Sequence, residues 1–328
     1  MPERKRVLSG MRPTGPLHLG NYFGALSNWV EMQDSYDCFF FIADWHALTS
    51  EYEGTAKIRR HIQMLLIDWL SVGLSPDRCT LFVQSHIKEH AELFLILSMI
   101  TPVPWLERNP TYKDQIVQLS NKDLSTFGFL GYPVLQAADI IMYKAHGVPV
   151  GIDQVPHVEI TREIARRFNF LYGEVFPEPE AILTEMPKIL GTDRRKMSKS
   201  YDNAIFLSDS PEEMVSKAMK MITDPQRMRR SDPGDPDVCN VFSFHRIYSD
   251  KTLVEEIDRN CRAARIGCVE CKKMMAENLV RALGPVREKR KYYEERPELV
   301  EKIISEGDEK ARAVARKTME EVRSAVRI

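Results

Sequence analysis

The sequence has no excess of either charge: 46 lysines and arginines stand against 47 aspartates and glutamates, a net charge of −1. That balance excludes a chain-wide basic surface, so any nucleic-acid binding must rest on local patches. The chain also lacks a run of roughly 18 apolar residues, which argues against a membrane-spanning helix. No apolar stretch of about 7–15 residues with a small-residue cleavage site follows the charged opening, so no signal peptide is expected. There is no internal repeat and no low-complexity tract. A cytoplasmic protein without membrane attachment is the expectation. Cysteine is scarce, six in 328 residues. Four of the six, Cys239, Cys261, Cys268 and Cys271, crowd together late in the chain. Cytoplasmic chains rarely keep structural disulfides, so this grouping points to a metal site.

What is present suits a globular enzyme. Hydrophobic residues make up 43% of the chain and charged residues 28%, enough for a sizeable core in one large or two ordinary domains. Arg6-Val7-Leu8 opens a first strand. The continuous apolar run Cys38 to Ala43 reads as a buried strand, Thr80 to Val83 as a third, and Val148-Pro149-Val150 as a short fourth. Ile58, Ile62, Leu65, Leu66 and Trp69 recur at helical spacing, with Gly73 as the stop. Strands alternating with helices predict an α/β fold with a doubly wound parallel sheet, whose ligands bind at the carboxyl ends of the strands. After about Asn203 the strand signal fades and helix formers dominate. The expected domains are 1–203, an α/β domain, and 204–328, a mostly α-helical one. The second ends in a charged helix from about Pro297 to Val326, with room for that helix to pack back on the first domain.

Four segments carry candidate chemistry. Ser9 to Asn21 follows the first strand, and a helix is expected near Asn21 because Tyr22, Ala25, Leu26 and Trp29 share a face. A helix N-terminus offers N–H groups to an anion, Gly20 permits close approach, and His18 can donate to a phosphate oxygen. A glycine-rich turn with a packed histidine is the plain alternative. Lys196-Met197-Ser198-Lys199-Ser200 suits a loop that neutralises charge growing on a leaving pyrophosphate, or else is a solvated basic loop. Tyr132, Gln136, Asp139 and Tyr143 form a polar stripe on an otherwise apolar helix, as a pocket wall would, or as a partly exposed amphipathic helix would. Finally, Gly151 in Val148 to Gln154 permits close approach, and Asp153 can accept from ribose hydroxyls or simply cap a helix.

In combination these segments are far more specific. His18-Leu19-Gly20-Asn21 resembles the HIGH signature of class I aminoacyl-tRNA synthetases, and Lys196 to Ser200 is that class's second signature, letter for letter. Tyr132 to Asp139, Val148 to Gln154, Asp44 to Thr49 and Thr223-Asp224-Pro225 resemble tryptophanyl-tRNA synthetases, over nearly the whole chain. Two positions depart from the commonest bacterial pattern: Gln136 stands where many have methionine, and Ile152 where the usual residue is glutamate.

The resemblance implies a Rossmann-like catalytic domain and an anticodon-binding helical domain. It implies activation of L-tryptophan by ATP with Mg²⁺, transfer of tryptophan to the 3′-terminal adenosine of tRNA(Trp), and a homodimer. Arg12, Pro13, Thr14, Gly20 and Asn21 would line the ATP site, with His18 on a phosphate and Lys113 on the triphosphate. Gly151, Ile152 and Asp153 would hold adenosine, and the loop Lys196, Met197, Ser198, Lys199 and Ser200 the pyrophosphate. Asp139 would accept the indole N–H, Tyr132 and Gln154 would hold the α-amino group, and Gln136 and His46 would complete the tryptophan pocket. Two other readings are a tyrosyl-tRNA synthetase, which shares the Tyr-x-x-x-Gln-x-x-Asp helix, and a non-catalytic paralogue binding tryptophan or RNA. Bacterial tyrosyl enzymes usually carry a further C-terminal RNA-binding module, for which this chain ends too early. Only about 100 residues separate Ser85 from the lysine loop, and these segments fill much of them, so no editing domain is expected.

The cysteine spacing C-x21-C-x6-C-x2-C admits a structural Zn²⁺ or a [4Fe–4S] cluster, since both take four thiolates. The resemblance favours the cluster. One branch of bacterial tryptophanyl-tRNA synthetases carries it on nearly this spacing, with Ile-Gly-Cys-x-x-Cys-Lys around the final pair, as in Ile266 to Lys272 here. Arg262, Arg265, Lys272 and Lys273 would then border it, either meeting tRNA phosphates or forming a solvated basic face.

Overall fold

The computed structural model describes residues 4–118, 123–183 and 189–328. They form two compact units. The described part of the first is 4–15, 28–118, 123–183 and 296–328; that of the second is 16–27 and 189–295. Packing thus groups residues 189–203 with the helices that follow, and 296–328 with the sheet.

The first unit is built on five parallel strands in the order β3-β2-β1-β4-β5. These are β1 Arg6–Met11, β2 Asp37–Ile42, β3 Cys79–Val83, β4 Gly147–Val150 and β5 Glu180–Leu183. Leu8 pairs with Phe39, Phe39 with Thr80, and Val7 with Gly147. The run of phenylalanines in β2 serves both faces of the sheet. Phe40 stacks on Trp29 at 4.5 Å, while Phe39 and Phe41 lie with Phe82 in the core of the other face. A strand covered on both sides is apolar throughout, which is why its sequence does not alternate. β5 is not apparent in the sequence, because its four residues include no buried position and follow two prolines. The strand order reverses between β1 and β4, so the segments leaving these two strands, beginning at Arg12 and Gly151, flank the position where such sheets bind ligands.

β3 is an edge strand, and the terminal helix Pro297–Val326 covers it. Ala311, Ala315, Met319 and Val322 form the buried stripe of that helix. Gly307 meets the backbone so closely that a Cβ there would collide with the Leu81 carbonyl oxygen. Asp308 accepts the Val83 amide at 3.0 Å and pairs with His86 Nδ1 at 2.5 Å. Main-chain groups that an edge would leave open are thereby occupied.

The second unit is mainly helical: Pro211–Met219, Asn240–Tyr248, Lys251–Arg262, Cys268–Ala282 and Gly284–Glu294. Residues 16–27 join it through backbone pairing, Leu19 N–H to the Ile205 carbonyl and Leu207 N–H to the Leu17 carbonyl, both 2.9 Å. The helix expected near Asn21 begins at Leu19, passes through a π-helical turn at Tyr22–Leu26 and continues as Ser27–Met32. No helix among the described residues is long and apolar enough to cross a membrane.

Candidate active site

In the first unit the polar stripe lies on the helix Phe127–Met142, and Asp139 is its fully buried centre. His46 Nε2 donates to Oδ2 at 2.8 Å and His90 Nδ1 to Oδ1 at 2.6 Å. Gln84 Nε2 lies 2.9 Å from both oxygens. These donors hold the carboxylate below its ordinary range, against burial, the largest influence, which acts in the opposite direction. His90 Nε2 in turn accepts from the Tyr143 hydroxyl at 2.8 Å. Gln136, three residues before Asp139, is partly exposed. The sequence marks Asp139, His46 and Tyr143, and Gln84 as part of the polar segment Gln84 to His86 after the third strand, but not His90 and not the convergence of Gln84 and His90 on Asp139, from 55 and 49 positions away.

Tyr132 is also buried, and its hydroxyl lies 3.1 Å from His157 Nε2. Asn109 Nδ2 lies 3.2 Å from His157 Nδ1, and Asn109 Oδ1 accepts the Thr111 amide at 3.0 Å. His157 is held down to about 4, first by burial and then by His46. Beyond β4, Ile152–Gln154 forms a single 3-10 turn leading into the helix Val155–Tyr172. Asp153 does not cap that helix with its side chain; its Oδ2 accepts from Gln154 Nε2 at 2.9 Å, and its carbonyl accepts from Thr111 Oγ1 at 2.9 Å. A side chain on Gly151 would crowd the Asp153 carboxylate, and Ile152 is 76% exposed. Arg12 reaches Ser50 Oγ at 3.3 Å, Pro13 is buried, and the Thr14 amide turns back to the Arg12 carbonyl. Lys113 is exposed on the helix Pro110–Gln118.

In the second unit His18 and Asn21 cap each other. The Asn21 amide donates to His18 Nδ1 at 3.2 Å, and Asn21 Oδ1 accepts the His18 amide at 3.1 Å. Because Nδ1 accepts, a neutral ring carries its proton on Nε2, ready for an anion. The ring is neutral near pH 7: burial, then Lys199 and Lys196, push it down to about 4. Gly20 sits between the His18 ring and Met197, with a Cβ position 3.0 Å from the first and 3.4 Å from the second. The lysine loop is pinned from within by Asn203, whose Oδ1 accepts the Ser198 amide (2.8 Å) and whose Nδ2 donates to Asp193 (2.7 Å) and to the Lys196 carbonyl (3.2 Å). Ser198 Oγ accepts the Ser200 amide at 3.3 Å, and Met197 is buried. Lys196 is exposed, whereas burial lowers Lys199 to about 8. The two signatures therefore meet: a neutral imidazole stands within electrostatic reach of two ammonium groups.

The four late cysteines also lie together. Cys239, Cys261 and Cys271 pack beside Phe242, Ile257 and Ile266. Burial, followed by the other three thiols, pushes Cys271 up to about 12. Among the described residues, no three His, Cys, Asp or Glu side chains form a metal-holding group. The surroundings nevertheless suit an anion. Arg227 is 9% exposed, places Nη1 3.6 Å from Cys261 Sγ, and leaves a buried Nε without a hydrogen-bond partner. Of the basic residues expected at this border, Arg262 is engaged by Asp235, Asp237 and Asp258, and Lys272 donates to the Met219 carbonyl. Arg265 and Lys273 are exposed.

This geometry has close counterparts among known proteins. A tryptophan–tRNA ligase of Thermotoga maritima is 54% identical over 328 residues, covering 98% of this chain and 99% of that one. The Aquifex aeolicus protein of the same name is 49% identical and covers 98% and 100%. The crystal structure of a Campylobacter jejuni tryptophanyl-tRNA synthetase complexed with ADP and tryptophan superposes with a TM-score of 0.91 at 35% identity, covering 98% of this chain and all of that one. Residues 2–284 match the family described as class I tRNA synthetases (W and Y), and the chain belongs to that family.

Proposed function

We propose that this chain acts as a tryptophan–tRNA ligase through the residues that its signature segments supply. Its substrates are L-tryptophan, ATP and tRNA(Trp). In the first step the tryptophan carboxylate attacks the α-phosphorus of ATP, forming tryptophanyl-adenylate and releasing pyrophosphate. In the second, the tryptophanyl group passes to the 3′-terminal adenosine of the tRNA. The carboxylate is itself the nucleophile, so the protein contributes position and electrostatics.

The single observation that carries the residue assignment is the ring of donors around Asp139. Three side chains converge on this buried carboxylate and keep it ionised and oriented, and the indole N–H is proposed as a further donor to it, competing with the shared Gln84 contact. Tyr132 and Gln154 hold the α-amino group, and Gln136 faces the indole. Gly151, Ile152 and Asp153 hold adenosine, with exposed Ile152 offering an apolar surface to the base. Arg12, Thr14 and Lys113 are assigned to the ATP phosphates, with Mg²⁺ accompanying the nucleotide. His18, through its Nε2 proton, and Gly20, Asn21, Lys196 and Lys199 are assigned to the same phosphates. ATP–pyrophosphate exchange measured with each of the twenty amino acids tests the reading, with tryptophan alone expected to support it. Exchange supported by tyrosine would favour the tyrosyl alternative.

Residues 204–328 are proposed to bind the anticodon region, apart from the terminal helix. Cys239, Cys261, Cys268 and Cys271 are proposed to hold a [4Fe–4S] cluster, with Zn²⁺ as the alternative. Such a group would cross-link the loop before Asn240–Tyr248 to two further helices, and buried Arg227 suits the negative charge of four thiolates. A homodimer is proposed through the apolar surface of Leu95, Met99, Val103, Ile116, Val117 and Phe127, all at least 42% exposed. A cytoplasmic location fits the reaction.

A further inference from the structure

We propose that Asp308, on the terminal helix, is a positioning residue for the tryptophan pocket. Its carboxylate grips both ends of one short turn. Oδ1 accepts the amide of Val83, the last residue of β3, and Oδ2 pairs with the His86 ring three residues later. Arg312, one helical turn further along, donates to the His86 carbonyl at 3.2 Å. Between the two gripped residues lie only Gln84 and Ser85. The Ser85 amide is held by Asp44 Oδ1 at 3.0 Å. Gln84 is fully buried and points the other way: Oε1 accepts the amides of Trp45 and His46, and Nε2 donates to Asp139. The turn is thus clamped from outside by the helix and reaches inward with a single side chain.

A carboxylate that only sealed the sheet edge would need the Val83 amide alone. The second grip, on His86, fixes the far end of the turn, and with it the backbone from which Gln84 projects. A donor displaced by about 1 Å loses its bond, so this backbone decides whether Asp139 stays oriented toward its ligand. The inference rests on the reading of Asp139 as the tryptophan acceptor.

The test uses the full chain in ATP–pyrophosphate exchange with Asp308→Ala, Asp308→Asn, Gln84→Ala and the double variant Gln84→Ala/Asp308→Ala. Asp308→Ala should raise the tryptophan KM roughly tenfold and leave the ATP KM within about twofold. Asp308→Asn, whose amide oxygen still accepts the Val83 amide and whose Nδ2 can donate to His86 Nδ1 in the ring's other neutral tautomer, should recover most of the loss. On a Gln84→Ala background, removal of the Asp308 carboxylate should add less than about twofold, because both act through one contact. If Asp308→Ala fails to fold, His86→Ala breaks one grip and should raise the tryptophan KM alone, again only while Gln84 is present. The inference is overturned if these variants lower the melting temperature without changing the tryptophan KM. It is equally overturned if they raise both KM values together, or if their effects multiply fully with that of Gln84→Ala. A Gln84→Ala enzyme with an unaltered tryptophan KM would instead overturn the reading of Asp139, and the positioning role with it.

Discussion

His157 donates its Nε2 proton to the hydroxyl of Tyr132 across 3.1 Å. The direction follows from the residues behind it. The Thr111 amide fixes Asn109 Oδ1 as an acceptor, so the Asn109 amide nitrogen faces His157 Nδ1, and that ring nitrogen must accept. The phenol keeps one oxygen lone pair and its own proton for a ligand. His157→Ala should therefore raise the tryptophan KM with little change in the ATP KM, since a lost buried hydrogen bond costs about 1–3 kcal/mol. Equal changes in both constants would contradict the assignment.

The same histidine predicts an acid limb of stability. His157 and His18 titrate near 4 in the folded chain, against an ordinary value of 6.5. Between those values the unfolded chain binds more protons, so their contribution is complete above about pH 6.5 and is lost as pH falls toward 4. Urea midpoints measured from pH 7 to pH 4 should decline, and His157→Gln should flatten the decline. An unchanged slope would count against a neutral, buried His157.

Asp139→Asn retains the shape of the pocket but removes the charge that three donors converge on. We expect a clear rise in the tryptophan KM, with ATP binding preserved. Asp139→Ala should be worse, because His46, His90 and Gln84 all lose their acceptor. A wild-type tryptophan KM in either variant would refute the assignment.

Lys196→Ala and Lys199→Ala should lower kcat for adenylate formation more than they weaken tryptophan binding, because their target charge grows in the transition state. Burial brings Lys199 down to about 8, so its charge fades as pH rises through that value. The kcat of the native enzyme should fall above about pH 8, and Lys199→Arg should move the fall to higher pH. A kcat flat to pH 9.5 would exclude Lys199 as the titrating group.

Protein purified without oxygen and with iron supplied should be brown, absorb broadly near 400 nm and hold about four irons per chain. Replacing Cys268 with serine should remove the colour while leaving pyrophosphate exchange active, because none of the four cysteines is among the residues assigned to tryptophan, the nucleoside or the phosphates. Colourless protein with about one zinc per chain would decide for the alternative.

Four of the five strands of the described sheet are legible in the sequence because each holds a short apolar core, such as Val7-Leu8 or Phe39 to Ile42. β5 is not, being only four residues long with none of them buried. The signature segments are legible because short motifs hold their residues close in sequence. The partners that orient them are not. Gln84 and Asp139 are 55 positions apart, Asn109 and His157 48, and nothing local couples either pair. The terminal helix looks like a solvated charged helix, and Gly307 within it looks like a weak point. Only the approach of the Leu81 carbonyl explains both. The insertion of segment 16–27 into the second unit is equally hidden, since that segment carries no compositional break.

The seal on β3 also sets an order of events during synthesis. Val83 and the Asp308 that receives its amide are 225 positions apart. As the chain grows, the third strand emerges long before the helix that covers it. Throughout that interval its outer edge remains a template on which another nascent chain could pair. The first unit can be completed only after the whole second unit has been translated. A ribosome pausing before codon 307 would hold a sheet with its ligand-binding end present but one flank unprotected.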